Sequence, residues 1–592
     1  MIIHFKRSLA IVLTLTLLVG CVKEPVDVVD EEAELRAKVA QLVQTERNNF
    51  TSSDALEIPL GSVLSGGGSR PMDDSIEGWK RMVSFYQEQL EIPLIYGVDA
   101  VHGHNNLKGA TLFPHNIGLG AANNPELVKQ IGIATGKEVK ATGIHWNFSP
   151  TLAVVQDVRW GRAYESFSED PQRVSALGLA YIQGLQSTGI AATAKHFLAD
   201  GGTTFNTGSL GYLIDQGDAQ LSEEELRRIH LLPYLSAINE GEVLTLMVSF
   251  SSVNGEKMHG SKYWITDVLK EELGFKGLVI SDWEAIHQLE GSLYQQIVAA
   301  INAGVDMLMQ PNNWKDSVDR LYRAVKNNDI SMERIDDAIA RINYVKEELG
   351  LLDNSFTPES ADVVYSDAHK QLAREAVSQS LVLLKNNRNI LPLEKNTKIL
   401  LIGPGSDNAG LANGGWTYSW QGENSGVNLP QATTLKMAFE SVASEHQGMI
   451  TTDLSKLNEV DVVVLALAEL PYAEGVGDAQ DLTLSGHMMH PDNQAAIEFV
   501  KSINKPVITI LTSGRPRVIT EELKDWDAFV MAWLYGSEAQ GITDVLYGDK
   551  NFTGTLPITW PKTSDASTVS TQRADRDGAN ILFDYGFGLR YE

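Results

Sequence analysis

From about residue 35 to residue 350, short apolar runs alternate with stretches whose apolar positions recur every three or four residues. The runs Ile92–Val98, His145–Phe148, Ile190–Ala194, Leu244–Val248, Leu278–Ile280 and Val305–Met309 read as strands. Between them the helical period is evident near 72–90, 125–142, 171–187, 222–240, 261–273, 292–303 and 332–349. Alternation of this kind predicts an α/β fold with a parallel sheet, most economically a (β/α)8 TIM-like barrel. Six strands are evident where eight are needed. The remaining pair is expected to be irregular or to lie near the N-terminus.

The period fades over 351–372, which holds Pro358 and several Ser and Asp residues and reads as a linker. A second alternation follows, with continuous apolar strands at Ser380–Leu384, Ile399–Ile402, Asp461–Leu467, Val507–Leu511 and Ala528–Trp533. Strands apolar on both faces belong to a sheet covered on both sides. The expected organisation is a leader over 1–21, a barrel over 22–352, a linker over 353–372 and a C-terminal α/β sandwich over 373–592.

The leader expectation rests on the first residues. Lys6 and Arg7 precede an apolar run from Leu9 to Val19, and Leu18-Val19-Gly20-Cys21 fits a lipoprotein signal whose lipidated residue is Cys21. An uncleaved anchor, or an ordinary signal with an incidental Cys, is the alternative, although the run is short for a membrane span. This places the mature protein in a bacterial cell envelope, held to a membrane only by its lipid, in the outer membrane or facing the periplasm. The acidic residues from Glu24 to Glu34 form a tether or the lead-in to a first helix. Cys21 is the only cysteine, so stability comes from packing rather than from an internal disulfide. The remaining composition is that of a globular chain, 43% hydrophobic and 21% charged. A formal charge of −28 argues against a nucleic-acid partner and favours neutral or cationic ligands.

Candidate chemistry gathers at strand ends. The run Leu278–Ile280 delivers Ser281, Asp282 and Trp283 to the end that faces ligands in parallel α/β folds. A carboxylate beside an indole suits a sugar, the anion for an oxocarbenium-like carbon and the apolar plate for a pyranose face. An Asp capping the next helix is the plainer reading of Asp282. Other polar groups follow other strands: Asp99, His102 and His104; Asp157, Arg159 and Arg162; Lys195 and His196; and Ser249. His102 and His104 lack helical ligand spacing, so hydrogen bonding is favoured over a metal. Gly61–Gly68 lacks the Lys-Ser/Thr ending of a phosphate loop, and Asn408 stands where a dinucleotide fingerprint after Gly403-Pro-Gly405 needs its third Gly.

Four stretches of the barrel half then carry a resemblance: Ile95–His104, Arg159–Ser166, Lys195–Gly202 and Val279–Trp283. Gly414–Gly422, Pro471–Asp478, Ser513–Pro516 and Gly536–Gly541 extend it through the second half. Together they resemble glycoside hydrolase family 3, in its two-domain exo-β-glucanase and β-glucosidase form. One departure is Val158, where the family usually has Pro. The resemblance implies Asp282 as nucleophile and Glu474 as general acid/base on a loop of the second domain. It implies Asp99, Arg162, Lys195 and His196 as holders of the terminal glucosyl unit, and Trp283 and Trp420 as plates for the next sugar. No metal or organic cofactor is implied. The expected partners are β-glucan oligosaccharides joined by β-1,3 and β-1,4 linkages.

Retaining hydrolysis asks for one ionised and one protonated carboxyl, about 5 Å apart. Lys195 and Arg162 are expected to lower the pKa of Asp282, and burial beside another carboxylate to raise that of Glu474. Relatives acting on β-xylosides or N-acetyl-β-glucosaminides remain as alternatives. The segment Phe197–Thr203 lacks the catalytic His of the single-domain aminosugar branch. A non-catalytic carbohydrate-binding lipoprotein is the alternative from another class, and such a protein is expected to lose Asp282 or Glu474.

Overall fold

The computed structural model describes residues 31–90, 92–566 and 569–592. The leader and Cys21 lie outside the described residues. Among the described residues no helix is long and apolar enough to cross a membrane. The acidic lead-in enters a first helix, Glu31–Ala40.

The first domain is a closed barrel of eight parallel strands. They are β1 (Val43–Glu46), β2 (Ser62–Ser65), β3 (Ile95–Val98), β4 (Trp146–Asn147), β5 (Thr193–Phe197), β6 (Thr245–Val248), β7 (Leu278–Ile280) and β8 (Leu308–Met309). Hydrogen bonding runs in the order β8-β1-β2-β3-β4 and, in a second group, β7-β6-β5. Parallel bridges Trp146–Ala191 and Ile280–Met307 join the two groups and complete the ring. The two strands that periodicity does not reveal are β1 and β2, Val-Gln-Thr-Glu and Ser-Val-Leu-Ser. Their polar side chains are buried, and several bond to the neighbouring strands: Gln44 donates to Ser62 at 2.7 Å, and Ser62 donates to the carbonyl of Ile95 at 2.6 Å. By contrast β7 is wholly apolar and wholly buried. Each of its side chains contributes about 1.5–3 kcal/mol of transfer free energy, which fixes the strand whose end carries Asp282.

The expected helices form, among them Pro125–Ala141, Pro171–Gln186, Leu293–Ala303 and Met332–Glu348. Ser292 and Gln295 make a capping box on Leu293–Ala303, and Gly304 ends that helix in the left-handed region at φ 116°. The stretches near 222–240 and 261–273 contain π-helical segments, Leu226–Leu231 and Tyr263–Glu272. Within 353–372 lies a short 3-10 turn, Ala361–Val363. Helix Asp367–Ser380, capped by Ser366, begins there too and runs on past residue 372.

The second domain is built on a six-stranded sheet: β9 (Val382–Asn386), β10 (Lys398–Ile402), β11 (Met449–Thr451), β12 (Val462–Ala468), β13 (Val507–Thr512) and β14 (Ala528–Met531). The strand order is β9-β14-β13-β12-β10-β11. All neighbours are parallel except β9 and β14, so the sheet is mixed, with an antiparallel edge. Strand β12 is buried along its whole length, as expected of a sheet covered on both faces.

Candidate active site

A cavity of about 620 Å³ opens at the C-terminal ends of the barrel strands and is roofed by loops of the second domain. Asp99, Arg162, Lys195, His196, Asp282, Trp283, Trp420 and Glu474 all line it. Asp99 follows β3, Arg162 lies beyond β4, Lys195 and His196 lie in β5, and Asp282 follows β7. Glu474 opens the 3-10 turn Glu474–Gly477, which follows β12. His102, His104, Asp157, Arg159 and Ser249 do not reach the cavity. His102 bonds to Phe113 O and Thr417 Oγ1, and His104 to Thr142 Oγ1. Arg159 pairs with Asp157 at 2.6 Å and lies over the ring of Phe205, while Ser249 bonds to Ser251. Among the described residues no cluster of three or more His, Cys, Asp or Glu side chains is arranged to hold a metal ion.

Asp282 is not a helix cap. The N-cap position of the next helical turn, Ala285–Gln288, is Glu284, whose side chain makes no capping bond, and the Asp282 carboxylate accepts from the neighbouring Trp283 N–H at 2.7 Å. Its own N–H donates to Nε2 of His259 at 3.1 Å, which fixes the backbone. Glu474 stands at φ 56°, in the left-handed region that a β-carbon disfavours. Its loop is held by Gln421, whose side chain accepts from Ala473 N at 2.9 Å and donates back to Ala473 O at 3.3 Å.

Arg162 links Glu474 to Asp282 by way of His196. It grips Glu165 through two 2.9 Å bonds, donates to Nε2 of His196 at 3.2 Å, and lies 3.6 Å from Oε1 of Glu474. Arginine has no acceptor, so Nε2 of His196 accepts, and the proton sits on Nδ1 and is donated to Asp200 at 2.8 Å. His196 Nε2 also lies 3.7 Å from Asp282. Burial, with Arg162 and Lys195 beside it, holds His196 well below its ordinary pKa and therefore neutral. Lys195 approaches Asp99 at 3.4 Å, and the indole of Trp416 donates to Glu165 at 3.2 Å.

The carboxylates titrate high. Burial raises Asp282 above its usual range, against the opposing pull of Arg162, the Trp283 N–H and Lys195. The expected lowering by the cations is therefore present, but desolvation outweighs it. Glu474 is pushed up to about 8 by burial; Arg162 opposes this, while Asp215, Asp282 and Glu165 add to it. The site thus holds one carboxyl strongly biased toward its acid form beside another with three partners favouring its anion.

Trp283 and Trp420 are 37% and 38% exposed, whereas Trp79, Trp146 and Trp160 are buried, so neither belongs to the core. The Gly61–Gly68 stretch, which offered a weak phosphate-loop pattern, serves this pair. A β-carbon at Gly66 would fall 2.4 Å from Cζ3 of Trp283, and Gly67 O accepts from Trp420 N at 3.0 Å. Arg70 adds a bond to Tyr418 O at 2.7 Å and lies over the Tyr418 ring. Besides these, sequence reasoning left Glu165, Trp416, Asp200, Asp215, Tyr212 and Phe250 without roles. Glu165, Asp200 and Trp416 stand inside the family-like motifs, and that position was the available signal. Tyr212, Asp215 and Phe250 lie outside them.

A barrel whose strand ends carry sugar-sized polar contacts, a carboxyl pair and exposed indoles defines a glycoside-hydrolysing enzyme. Residues 34–345 match the glycosyl hydrolase family 3 N terminal domain, and residues 381–591 match its C-terminal domain. The chain belongs to glycosyl hydrolase family 3. It is 31% identical to the lysosomal beta glucosidase of Dictyostelium discoideum over 96% of this chain and 76% of that protein. It superposes on a variant of the exo-1,3/1,4-beta-glucanase of a Pseudoalteromonas species with a TM-score of 0.87 and 40% identity, covering 94% of this chain and 93% of that one. A mutant beta-glucosidase of Listeria innocua solved with laminaribiose is similar at TM-score 0.79 and 25% identity, covering 95% and 83% of the two chains.

Proposed function

We propose that this enzyme is an exo-acting, retaining β-glucosidase that removes glucose from the non-reducing ends of β-linked gluco-oligosaccharides. Asp282 serves as its nucleophile and Glu474 as its acid/base. The observation that carries the reading is the juxtaposition of these two carboxyls in one cavity, linked through His196 and Arg162. Asp282 attacks the anomeric carbon while Glu474 gives its proton to the departing glycosidic oxygen. The bond to the aglycone breaks, and a glucosyl ester of Asp282 forms. Esterification removes the negative charge at Asp282, so Glu474 ionises more readily and takes a proton from the water that hydrolyses the ester. Asp99, Lys195, His196 and Arg162, the more buried part of the lining, hold the terminal sugar, which accounts for exo action.

The similarity to an exo-1,3/1,4-beta-glucanase and to a beta-glucosidase solved with laminaribiose supports acceptance of both linkages. Trp283 and Trp420 supply the means, because stacking against a second sugar is indifferent to which hydroxyl carries the bond. The motif Leu18–Cys21 further supports a lipid on Cys21 and residence in the cell envelope. The deciding experiment measures kcat/KM of purified protein on 4-nitrophenyl β-glucoside, β-xyloside and N-acetyl-β-glucosaminide. A clear preference for glucoside is expected. Preference for either of the others overturns the glucosidase assignment, and no turnover of any of them returns the chain to a binding role.

A further inference from the structure

The loop that carries Glu474 is anchored to the barrel by a residue four positions further on. The Asp478 carboxylate is 6% exposed and accepts four backbone hydrogen bonds, all from the barrel domain. Oδ2 takes the N–H groups of Leu213, Ile214 and Asp215 at 3.0, 2.7 and 2.8 Å, and Oδ1 takes that of Gly161 at 2.8 Å. Successive N–H groups converging on one oxygen make a cradle for an anion, and charge-assisted bonds of this kind are about twice as strong as neutral ones. The fit is close on the backbone side as well. A β-carbon at Gly161 would lie 1.9 Å from the carbonyl oxygen of Glu474, so the barrel chain passes directly against the residue it helps to place. The half-buried ring of Tyr212, next to the cradle, lies against Gly475. Among its barrel contacts, the second domain adds Arg515, which bonds to Arg159 O at 3.0 Å and to Gly477 O.

We infer that Asp478 is a positioning residue for the acid/base. Its carboxylate docks the Glu474–Gly477 turn into the barrel's N–H cradle, made by residues 213–215 and Gly161, and so sets where Glu474 meets the glycosidic oxygen. Tyr212 supports the same docking from above Gly475. This rests on the assignment of Glu474 as acid/base. Glu474 stands on a different domain from Asp282, so its placement depends on contacts made across the boundary, and Asp478 makes four of these with one side chain. A displacement of about 1 Å in a reacting group costs on the order of 100-fold.

The test uses full-length Asp478→Asn, Tyr212→Ala and Glu474→Gln with a series of aryl β-glucosides whose phenols span weak to strong acidity. Asparagine keeps the volume of Asp478 but offers one acceptor oxygen and turns an NH2 toward the N–H donors. Asp478→Asn should lose roughly 10- to 100-fold in kcat/KM on glucosides of weakly acidic phenols. On 2,4-dinitrophenyl glucoside, which needs no proton, it should stay close to wild type. Its alkaline limb in kcat/KM should also move to lower pH as Glu474 gains water. Tyr212→Ala should show the same dependence on leaving group, more weakly. A folded Asp478→Asn that is slowed equally on every glucoside, or not at all, overturns the inference. Should that variant fail to fold, Tyr212→Ala decides by the same criterion. Glu474→Gln is the control for the underlying assignment. If it shows no dependence on leaving group, the acid/base reading itself falls, whereas dependence in Glu474→Gln alone removes only the role of Asp478.

Discussion

Arg162 Nη1 lies 3.6 Å from Oε1 of Glu474, an ion-pair approach that spans the two domains. The same guanidinium already grips Glu165, so its charge is shared between two carboxylates. Burial lifts Glu474 to about 8 against this cation, and Asp215, Asp282 and Glu165 add to the rise.

The first prediction concerns pH. The enzyme needs Asp282 ionised and Glu474 protonated, so kcat/KM should rise as Asp282 loses its proton and fall on the alkaline side near pH 8. The two limbs report the coupled pair rather than either residue alone. In Glu474→Gln the alkaline limb should disappear. A profile that still falls at the same alkaline pH in that variant would assign the limb to another group.

Stability should follow the same proton. Folded Glu474 keeps its proton up to about 8, whereas the unfolded chain releases it near 4.5. Between those values the folded state binds more protons, so this residue's contribution to stability declines as pH rises, by at most about 1.4 kcal/mol per pH unit. Glutamine has no proton to lose. Glu474→Gln should therefore melt higher than wild type at pH 9, with the difference shrinking toward pH 5. Melting curves at the two pH values check this, and an equal difference at both would remove the linkage.

Asp282→Asn should lower kcat on the order of 10,000-fold or more, the scale on which loss of a covalent nucleophile is measured. A 2-fluoro-glucoside with a good leaving group should label wild-type protein, and peptide mapping should find the adduct on Asp282. An adduct on Asp99 or Glu165 would show that the strand-end geometry has been misassigned.

The barrel was legible where its strands are apolar. Leu278–Ile280 announces itself, and with it Asp282 at the strand end. Strands β1 and β2 escape a reading from periodicity because Gln44, Thr45, Ser62 and Ser65 are polar side chains buried in a strand, and their hydrogen-bond partners come near only on folding. The antiparallel pairing of β9 was hidden for a different reason, since an apolar run reads the same in either direction. In the site, polar residues at strand ends could be collected from the chain, yet their division into those that reach the cavity and those that bind one another is tertiary. Arg159 and Arg162 are three residues apart, and one stacks on Phe205 while the other faces Glu474. The direction of the Asp282 shift was missed because charge partners can be read from motifs, whereas the depth of burial opposing them cannot.

The last prediction concerns the second sugar. Trp283 comes from the barrel and Trp420 from the second domain, and Gly66 packs close to the first and Gly67 close to the second. If the pair clamps the sugar beyond the cleaved bond, Trp420→Ala should raise KM for laminaribiose and cellobiose together. A lost stacking contact of about 1 kcal/mol corresponds to a change of about fivefold. Methyl β-glucoside has no second ring and should be affected less. Gly66→Ala should act in the same direction through the other plate, because its methyl group would enter the space of the Trp283 ring. Values of kcat/KM for the three substrates, together with the melting temperature of each variant, decide the matter. An equal loss on all three substrates with a lowered melting temperature would make these indoles props of the domain interface, and the acceptance of both linkages would then need another cause.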